Sequence, residues 1–341
     1  MENIANEQLF GNTRNTENQE RNFMKPKVSI IIPAYNSSRY IKRAIESVLC
    51  QTEKNIEVIV VDDASTDNTV EVVRQFCDHR LKLMVNECNQ GPSYSRNRAL
   101  KEAQGEWVAL LDSDDWYVPE RLEKLLQVAY TENADIVADN IYYILDGAEL
   151  PWSTFFSLEK ISLDKPRQID TVYFIDFSVS VTKPIIKRNF LLQHQLEFNE
   201  ALKYEEDFFL FLLCLCHGAN FILVPETYYF YRNRSDSLMT EGFTFYEQAY
   251  NTNLYFLQQD FIKKNPKVLR SLSRRFLKIK QRKAFHRIRH FVKQKAFLSA
   301  LIEAVRNPMF LPILWKKLPG IIKYRLSSPL ALITQTFANS K

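Results

Sequence analysis

The residues most able to do chemistry crowd into one string, Asp112-Ser113-Asp114-Asp115, which follows directly on the apolar run Trp107 to Leu111. Carboxylates this close repel one another, and a bound divalent cation removes that cost. Magnesium or manganese suits them, because hard carboxylate oxygens supply one or two ligands and a diphosphate supplies others. The alternative is an acidic turn in which Asp115 caps the next helix. Asp62 and Asp63 end a second apolar run, Ile56 to Val61. A carboxylate there can accept hydrogen bonds from a base N–H or from ribose hydroxyls, or it can do Asx-turn and capping work in the string DASTD. Tyr35 and Asn36 follow Pro33 at the end of a third run, where Tyr35 either contacts a base or joins the core. In Gly91-Pro92-Ser93-Tyr94-Ser95-Arg96-Asn97, glycine allows close backbone approach and Arg96 can face phosphate or the acidic cluster. The glycine is solitary, so this is neither a Walker loop nor the dinucleotide fingerprint.

These residues can cooperate only if the elements before them end at one edge. Val28 to Ile32 reads as a strand, with Ser37 and Ser38 as cap candidates for a helix carrying Ile41, Ala44, Ile45, Val48 and Leu49. Ile56 to Val61 is a second strand, and Thr66 or Asp67 can cap a helix with Val70, Val73 and Phe76. Leu81 to Val85 then leads to a helix from Ser93 to Ala103, and Trp107 to Leu111 leads to one opened by Pro119 and running through Tyr130. Continuous apolar strands alternating with helices indicate a parallel sheet covered on both faces. Ligands bind such sheets beyond the carboxyl ends of the strands, where the carboxylates fall. Ile136 to Asp139 is a further strand, after which the alternation fails through Asp170. Trp152, Phe155 and Phe156 mark that stretch as a candidate acceptor-side insertion. A helix from Glu206 to His217, a strand from Phe221 to Val224 and an aromatic segment follow, and beyond Thr240 the chain reads as helices.

Composition excludes more than it identifies. Hydrophobic residues at 46% and charged residues at 25% of 341 positions suit a globular chain and exclude disorder over most of it. The five cysteines show no zinc spacing. The polar start lacks the apolar core of a secretion signal, so a reducing cytoplasmic setting with free thiols is expected. The longest nearly uninterrupted apolar run, Phe208 to Cys216, is far short of the ~20 residues that span a bilayer.

The order IIPAYN, EVIVVDDASTD, NQGPSYSRNRAL, GEWVALLDSDDW closely resembles the family 2 glycosyltransferases with the GT-A fold. The strings VTKPIIKRNFLLQHQLEFNE, YEEDFFLFLLCLCHGANFILVPE and YYFYRNRSDS resemble the later half of that family, specifically its bacterial succinoglycan-type exopolysaccharide transferases. The resemblance implies an α/β GT-A (nucleotide-diphospho-sugar transferase) fold, a mainly parallel central sheet flanked by helices with a C-terminal helical extension. The implied organisation is a flexible leader over 1–25 and a transferase domain over 26–240, with a nucleotide-binding half to 140 and an acceptor-side half from 141. A basic, mostly helical extension occupies 241–341.

The resemblance also implies roles. Pro33, Tyr35 and Asp63 would hold the base and its surroundings, with Asp63 the foremost base-binding carboxylate; from the reading of the loops themselves, Arg96 is a further candidate for the nucleotide sugar and Asp62 a neighbouring one. Asp112 and Asp114 would form the DxD pair, the first near the ribose and the second on the Mn2+ or Mg2+ that bridges the diphosphate, with Asp115 beside them. Glu206-Asp207 resembles the family's acidic pair, in which Asp207 would be the catalytic base, and Arg232 matches an arginine that often follows. Acids in a first helical turn are also favoured by the macrodipole alone, and Glu205 leaves open which acid reaches the site. The implied reaction is inverting transfer from a nucleotide sugar, a UDP-sugar foremost, to a glycan or lipid-linked sugar acceptor. A nucleotidyltransferase and a nucleotide-sugar-binding protein without turnover are the alternatives.

Net charge is +5, and from Phe261 to Ile302 there is no Asp or Glu while Lys and Arg recur. Mixed with Phe276, Ile279, Phe291, Leu298 and Trp315, these cations suit an interfacial helix on an anionic membrane leaflet, at about 1 kcal/mol per basic residue. That would place the enzyme at the inner face of the cell membrane. A helical bundle with a solvated basic face is the alternative. No nucleic-acid recognition motif accompanies the charge.

Overall fold

The computed structural model describes residues 25–234 and 243–315. Nearly all of the expected leader, Ser235 to Ser237 of the aromatic string, and the extension beyond Trp315 lie outside the described residues. The described chain forms two compact units: 25–169, 180–200 and 213–232 make the first, and 170–179, 201–212, 233–234 and 243–315 the second.

In the first unit the alternating pattern becomes β1 (Val28–Ala34), α1 (Ile41–Leu49), β2 (Ile56–Asp62), α2 (Thr69–Arg74), β3 (Leu81–Val85), α3 (Pro92–Glu102) and β4 (Trp107–Leu110). Consecutive β1 and β2 residues such as Ile30, Ile31 and Ile32 or Val58 to Val61 are wholly buried, so both sheet faces are covered there. The four strands pair in parallel in the order β3-β2-β1-β4. Gly105 sets the entry to β4: its N–H donates to Ser29 Oγ at 2.8 Å, and a Cβ there would lie 2.5 Å from the Ser29 nitrogen.

The sheet then continues with other strands, in the order β9-β6-β10-β5 after β4. These are β5 (Trp116–Tyr117), β6 (Ile136–Leu145), β9 (Ile185–Lys187) and β10 (Phe221–Asn233). Short β7 (Ser153–Thr154) and β8 (Arg167–Ile169) pair with β6 and β10. The β4–β9, β6–β9 and β10–β5 pairings are antiparallel. Here β6 runs six residues beyond the expected Asp139, and the strand expected to end at Val224 continues through Pro225 and takes in the aromatic string. Aromatic contacts support that length: Phe230 stacks between Trp116 and Tyr142, at 4.9 Å from each. Helix α4 (Arg121–Thr131) carries Arg121, whose fork donates to Asp139 on β6 at 2.8–3.3 Å with both side chains fully buried.

Cap chemistry also differs from expectation. Helix α1 begins after Tyr40 without a side-chain cap, and the Ser37 carbonyl, not a serine hydroxyl, receives the first N–H groups. Asp67 works from two residues before α2, accepting from the Thr69 N–H at 3.0 Å. Phe155 and Phe156 are buried in α5 (Phe155–Glu159), while Trp152 remains exposed and stacks on Tyr143.

The second unit is helical: α6 (Thr171–Phe177), the start of α8 (Glu206–Cys216), α9 (Phe243–Gln258), α10 (Asp260–Lys263), α11 (Pro266–Lys293) and α12 (Phe297–Arg306), with α7 (Arg188–Gln193) belonging to the first unit. Its core is aromatic, Phe208 stacking with Phe174 at 5.1 Å and Phe256 with Phe209 at 5.0 Å. Asn265 and Pro266 start α11, the asparagine side chain accepting from the Val268 N–H. Among the described residues no single helix is long and apolar enough to cross a membrane. All five cysteines are free thiols; burial pushes Cys214 up to about 12 and Cys216 up to about 11.

Candidate active site

Parallel register brings the strand ends level. Ala34 lies beside Asp62, Asp62 beside Val85, and Ile31 beside Leu110, one residue before Leu111 and Asp112. The loops that follow are bonded to one another. Asn36 accepts from the Thr66 N–H at 2.8 Å, and the Ser37 and Ser113 hydroxyls share a 2.7 Å hydrogen bond. Asn86, after β3, donates to Asp63 at 2.6 Å and to Ser95 at 3.1 Å. Four loops thereby form one polar rim.

Each carboxylate on the rim has its own environment. Asp62 is buried and closes its own turn, accepting from the Ser65 N–H at 2.9 Å and from the Ser65 hydroxyl. That is the turn alternative. Asp63, also buried, accepts from Asn86 and from the N–H groups of Gln90 (3.0 Å) and Gly91 (2.7 Å). Glycine at 91 permits this loop because its φ is +90°, a value that L side chains rarely adopt. Asp63 has four lone-pair directions, so three donors leave one for a ligand. Tyr35 is 49% exposed, which removes the core-aromatic alternative, and Pro33 occupies β1 opposite Val61.

Asp112 faces cations. Arg96 Nη2 lies 2.9 Å from one oxygen and Lys183 Nζ 3.0 Å from the other, so Arg96 faces the acidic cluster as one reading expected. Burial would raise the Asp112 carboxyl, but the Lys183 and Arg96 charges outweigh it and hold the group well below the usual carboxylate range. Asp115 is the opposite case. Burial pushes its carboxyl well above the usual range, and the neighbouring Asp114 and Asp112 charges add to the rise. It caps no helix; it accepts from the Tyr229 hydroxyl at 2.7 Å and the Arg232 N–H at 2.8 Å. Arg232 also donates through Nε to the Asp114 carbonyl and through Nη1 to Asp146, at 2.8 and 3.0 Å. Arg232 therefore fixes the backbone that presents Asp114.

Sequence reasoning missed Lys183 and Asp146. Lys183 precedes Pro184, sits almost buried, and has φ +50°, a left-handed conformation disfavoured for lysine. Arg121 holds it there by donating to its carbonyl at 2.7 Å. A lysine before proline was the available signal, and nothing local pairs it with an aspartate 71 residues away. Asp146 joins the end of β6 to Arg232, Arg39 and the Tyr40 hydroxyl.

Glu206 and Asp207 belong to the second unit, half-buried in the first turn of α8. Glu205 is resolved: Arg275 donates to both its oxygens and Asn253 to one, at 2.6–3.1 Å, so this acid is a structural anchor of the helical unit.

A divalent cation here would be met chiefly by Asp114, because both oxygens of Asp112 are paired with Arg96 and Lys183. Asp112 and Asp114 are half-buried, whereas Asp115 is buried and bonded internally. Among the described residues no three His, Cys, Asp or Glu side chains form a cage, so the protein alone would not complete a coordination shell.

A sheet whose first four strands run parallel and end in a carboxylate-lined rim is the layout of α/β proteins that bind ligands at the strands' carboxyl ends, and the solved structures similar to this chain are GT-A type transferases. The profile described as Glycosyl transferase family 2 matches residues 29–190. The chain is 32% identical over 313 residues to the succinoglycan biosynthesis protein ExoO of Rhizobium meliloti (strain 1021), covering 90% of this chain and 83% of that one. It is 40% identical over 138 residues to the UDP-Glc:alpha-D-GlcNAc-diphosphoundecaprenol beta-1,3-glucosyltransferase WfgD of Escherichia coli, covering 40% of this chain and 54% of that one. Among solved structures, S. aureus TarS 1-349 in complex with UDP-GlcNAc aligns with a TM-score of 0.57 at 26% identity, over 78% of this chain and 73% of that one. The mannosyltransferase PcManGT from Pyrobaculum calidifontis, in complex with GDP-Man and Mn2+, shares the fold with a TM-score of 0.53 at 17% identity, over 90% and 81% of the two chains. The chain belongs to glycosyltransferase family 2 and is a nucleotide-sugar glycosyltransferase.

Proposed function

We propose that the chain transfers a sugar, with inversion, from a UDP-sugar to a hydroxyl of a glycan or lipid-linked sugar in the building of a bacterial exopolysaccharide or surface glycan. The observation that carries this reading is the rim at the ends of β1 to β4, where Asp112 is held ionised between Arg96 and Lys183 and Asp114 stands on a backbone fixed by Arg232. The names of ExoO and WfgD support the glycan and lipid-linked acceptors, and the TarS complex supports the UDP-sugar.

Each residue has a defined task. The free lone pair of Asp63 accepts from the base, Tyr35 covers it, and Pro33 shapes the floor beneath. Asp112 accepts from the ribose, and Arg96, with Lys183, holds it ionised for that task. Asp114, with Asp112, would hold Mn2+ or Mg2+, which when bound supplies Lewis-acid stabilisation of the diphosphate leaving group. Asp207, with Glu206 beside it, takes the proton of the acceptor hydroxyl as the new C–O bond forms, because a neutral hydroxyl is a poor nucleophile. A single displacement at the anomeric carbon inverts it, so no covalent sugar intermediate forms. A lipid-linked acceptor places the enzyme at the cytoplasmic face of the membrane, and nucleic acid has no part in this reading.

Incubation with a panel of UDP-, GDP- and dTDP-sugars tests it, with manganese-dependent hydrolysis as the readout. Asp207→Ala is expected to lower turnover about 10²- to 10⁴-fold with metal-dependent donor binding retained. Asp114→Ala is expected to weaken donor binding in calorimetry with manganese and to change little without it. Unchanged metal-dependent binding in Asp114→Ala refutes the metal role, and absence of turnover with every donor refutes the transferase assignment.

A further inference from the structure

The second unit ends in a helix whose outward face is apolar. In α12, Phe297, Leu298, Leu301, Ile302 and Val305 are all exposed, Leu298 at 72% and Val305 at 74%. At 3.6 residues per turn these five fall within an arc of about 140°. They form one continuous stripe, not scattered exposure. Past a break at Asn307 the chain turns by 91° into Pro308–Trp315, which adds exposed Leu311 and Trp315. Soluble monomers rarely leave such a patch bare.

Charge identifies what covers it. From Phe261 to Trp315 the sole acidic residue is Glu303. It sits on the side of α12 opposite the stripe, 8% exposed, paired with Arg287 at 3.3 Å and accepting from Asn307 at 2.9 Å. The outward side therefore carries no carboxylate, while Lys293 and Lys295 are exposed where the chain enters α12 and Arg306 is exposed where it leaves. A second copy of the chain would bring like charges together with no acid to meet them. An anionic lipid surface meets both properties at once. The helix has 10 residues, about 15 Å of length, too short for a hydrocarbon core of about 30 Å. By itself α12 can lie in the interface but not span it, and the apolar run it forms with Pro308–Trp315 is bent by 91°.

We propose that this face of α12, continued by Leu311 and Trp315 and flanked by Lys293, Lys295 and Arg306, docks the chain on an anionic bilayer. The inference deepens the acceptor reading above, since a lipid-linked acceptor is reached from that surface, but its evidence is the helix itself. The full-length protein is sedimented with phosphatidylcholine vesicles with and without phosphatidylglycerol, and Trp315 fluorescence is followed against a Trp315→Phe control. Binding is expected on anionic vesicles, weaker on neutral ones, with a blue shift that the control lacks. Leu298→Asp with Leu301→Asp should reduce vesicle binding at least about tenfold without changing the melting temperature or vesicle-free donor hydrolysis. Lys293→Ala with Lys295→Ala should weaken binding to anionic vesicles alone, and added salt should do the same. Wild-type protein that remains in the supernatant with both vesicle types overturns the proposal. So does a dimer that the double aspartate variant dissolves, or a stripe covered by residues 316–341, seen as vesicle binding gained only on their removal. Vesicle binding without donor hydrolysis sinks the transferase reading and leaves this one standing; hydrolysis without vesicle binding does the reverse.

Discussion

Charge is organised in opposite ways in the two units. In the first, cations and carboxylates are interleaved and buried: Arg121 with Asp139, Arg96 and Lys183 with Asp112, and Arg232 with the loop carrying Asp114 and Asp115. In the second, apart from the part-buried pair of Glu205 and Arg275, cations outnumber acids and most face outward, as Arg274 does even while paired with Asp176. A buried network positions groups to within hydrogen-bonding tolerance, because every broken partner leaves a desolvated charge. A one-signed exposed surface positions nothing closely but attracts an oppositely charged plane over a Debye length. The contrast separates a rim built to orient a small anionic ligand from a surface suited to a large anionic one.

Substitutions can break or sharpen that contrast. Removing Asp139 leaves Arg121 charged in a fully buried place, so Asp139→Ala is expected to destabilise the fold by about 3–5 kcal/mol, read from urea midpoints. A loss below about 1 kcal/mol would show that the buried pair is dispensable. Lys183→Met is expected to weaken donor binding about tenfold and to lower the melting temperature at neutral pH, and its signature is a pH shift. A carboxyl held low in the folded chain contributes stability that is present above its unfolded value near pH 3.9 and lost as pH falls toward the folded value. With one of its two cations gone, Asp112 moves up, and the acid limb of donor binding should move to higher pH; an unshifted limb removes Lys183 from the rim. The smallest effect is expected in the helical unit. Arg274→Ala breaks an exposed pair with Asp176 and should cost about 0–1 kcal/mol, and a loss above about 2 kcal/mol would erase the distinction drawn between the units.

Much of the first unit was legible because its signals are local. Apolar runs of Val and Ile followed by Asp or by Tyr-Asn located strands and their carboxyl ends, and parallel pairing made those ends level. The long strands were harder to bound. Ile136 to Leu145 and Phe221 to Asn233 carry polar and aromatic residues that alternation alone does not assign, and Pro225 reads as a terminator although the strand continues past it. Caps misled for a related reason: Ser37 has the right chemistry for an N-cap, yet its hydroxyl is bonded to Ser113, 76 residues on.

The sequence by itself determined the acidic string, the family and the acid-free basic stretch from Phe261 to Ile302, since each depends on residue type and short spacing. Only the tertiary structure decided which carboxylates have partners. It tied Glu205 to Arg275, closed Asp62 on its own turn, placed Lys183 against Asp112 and turned Glu303 inward. Pairings over tens of residues depend on strand register and helix packing, which no local pattern encodes, and the same packing sets the burial that makes one aspartate readily ionised and another reluctant.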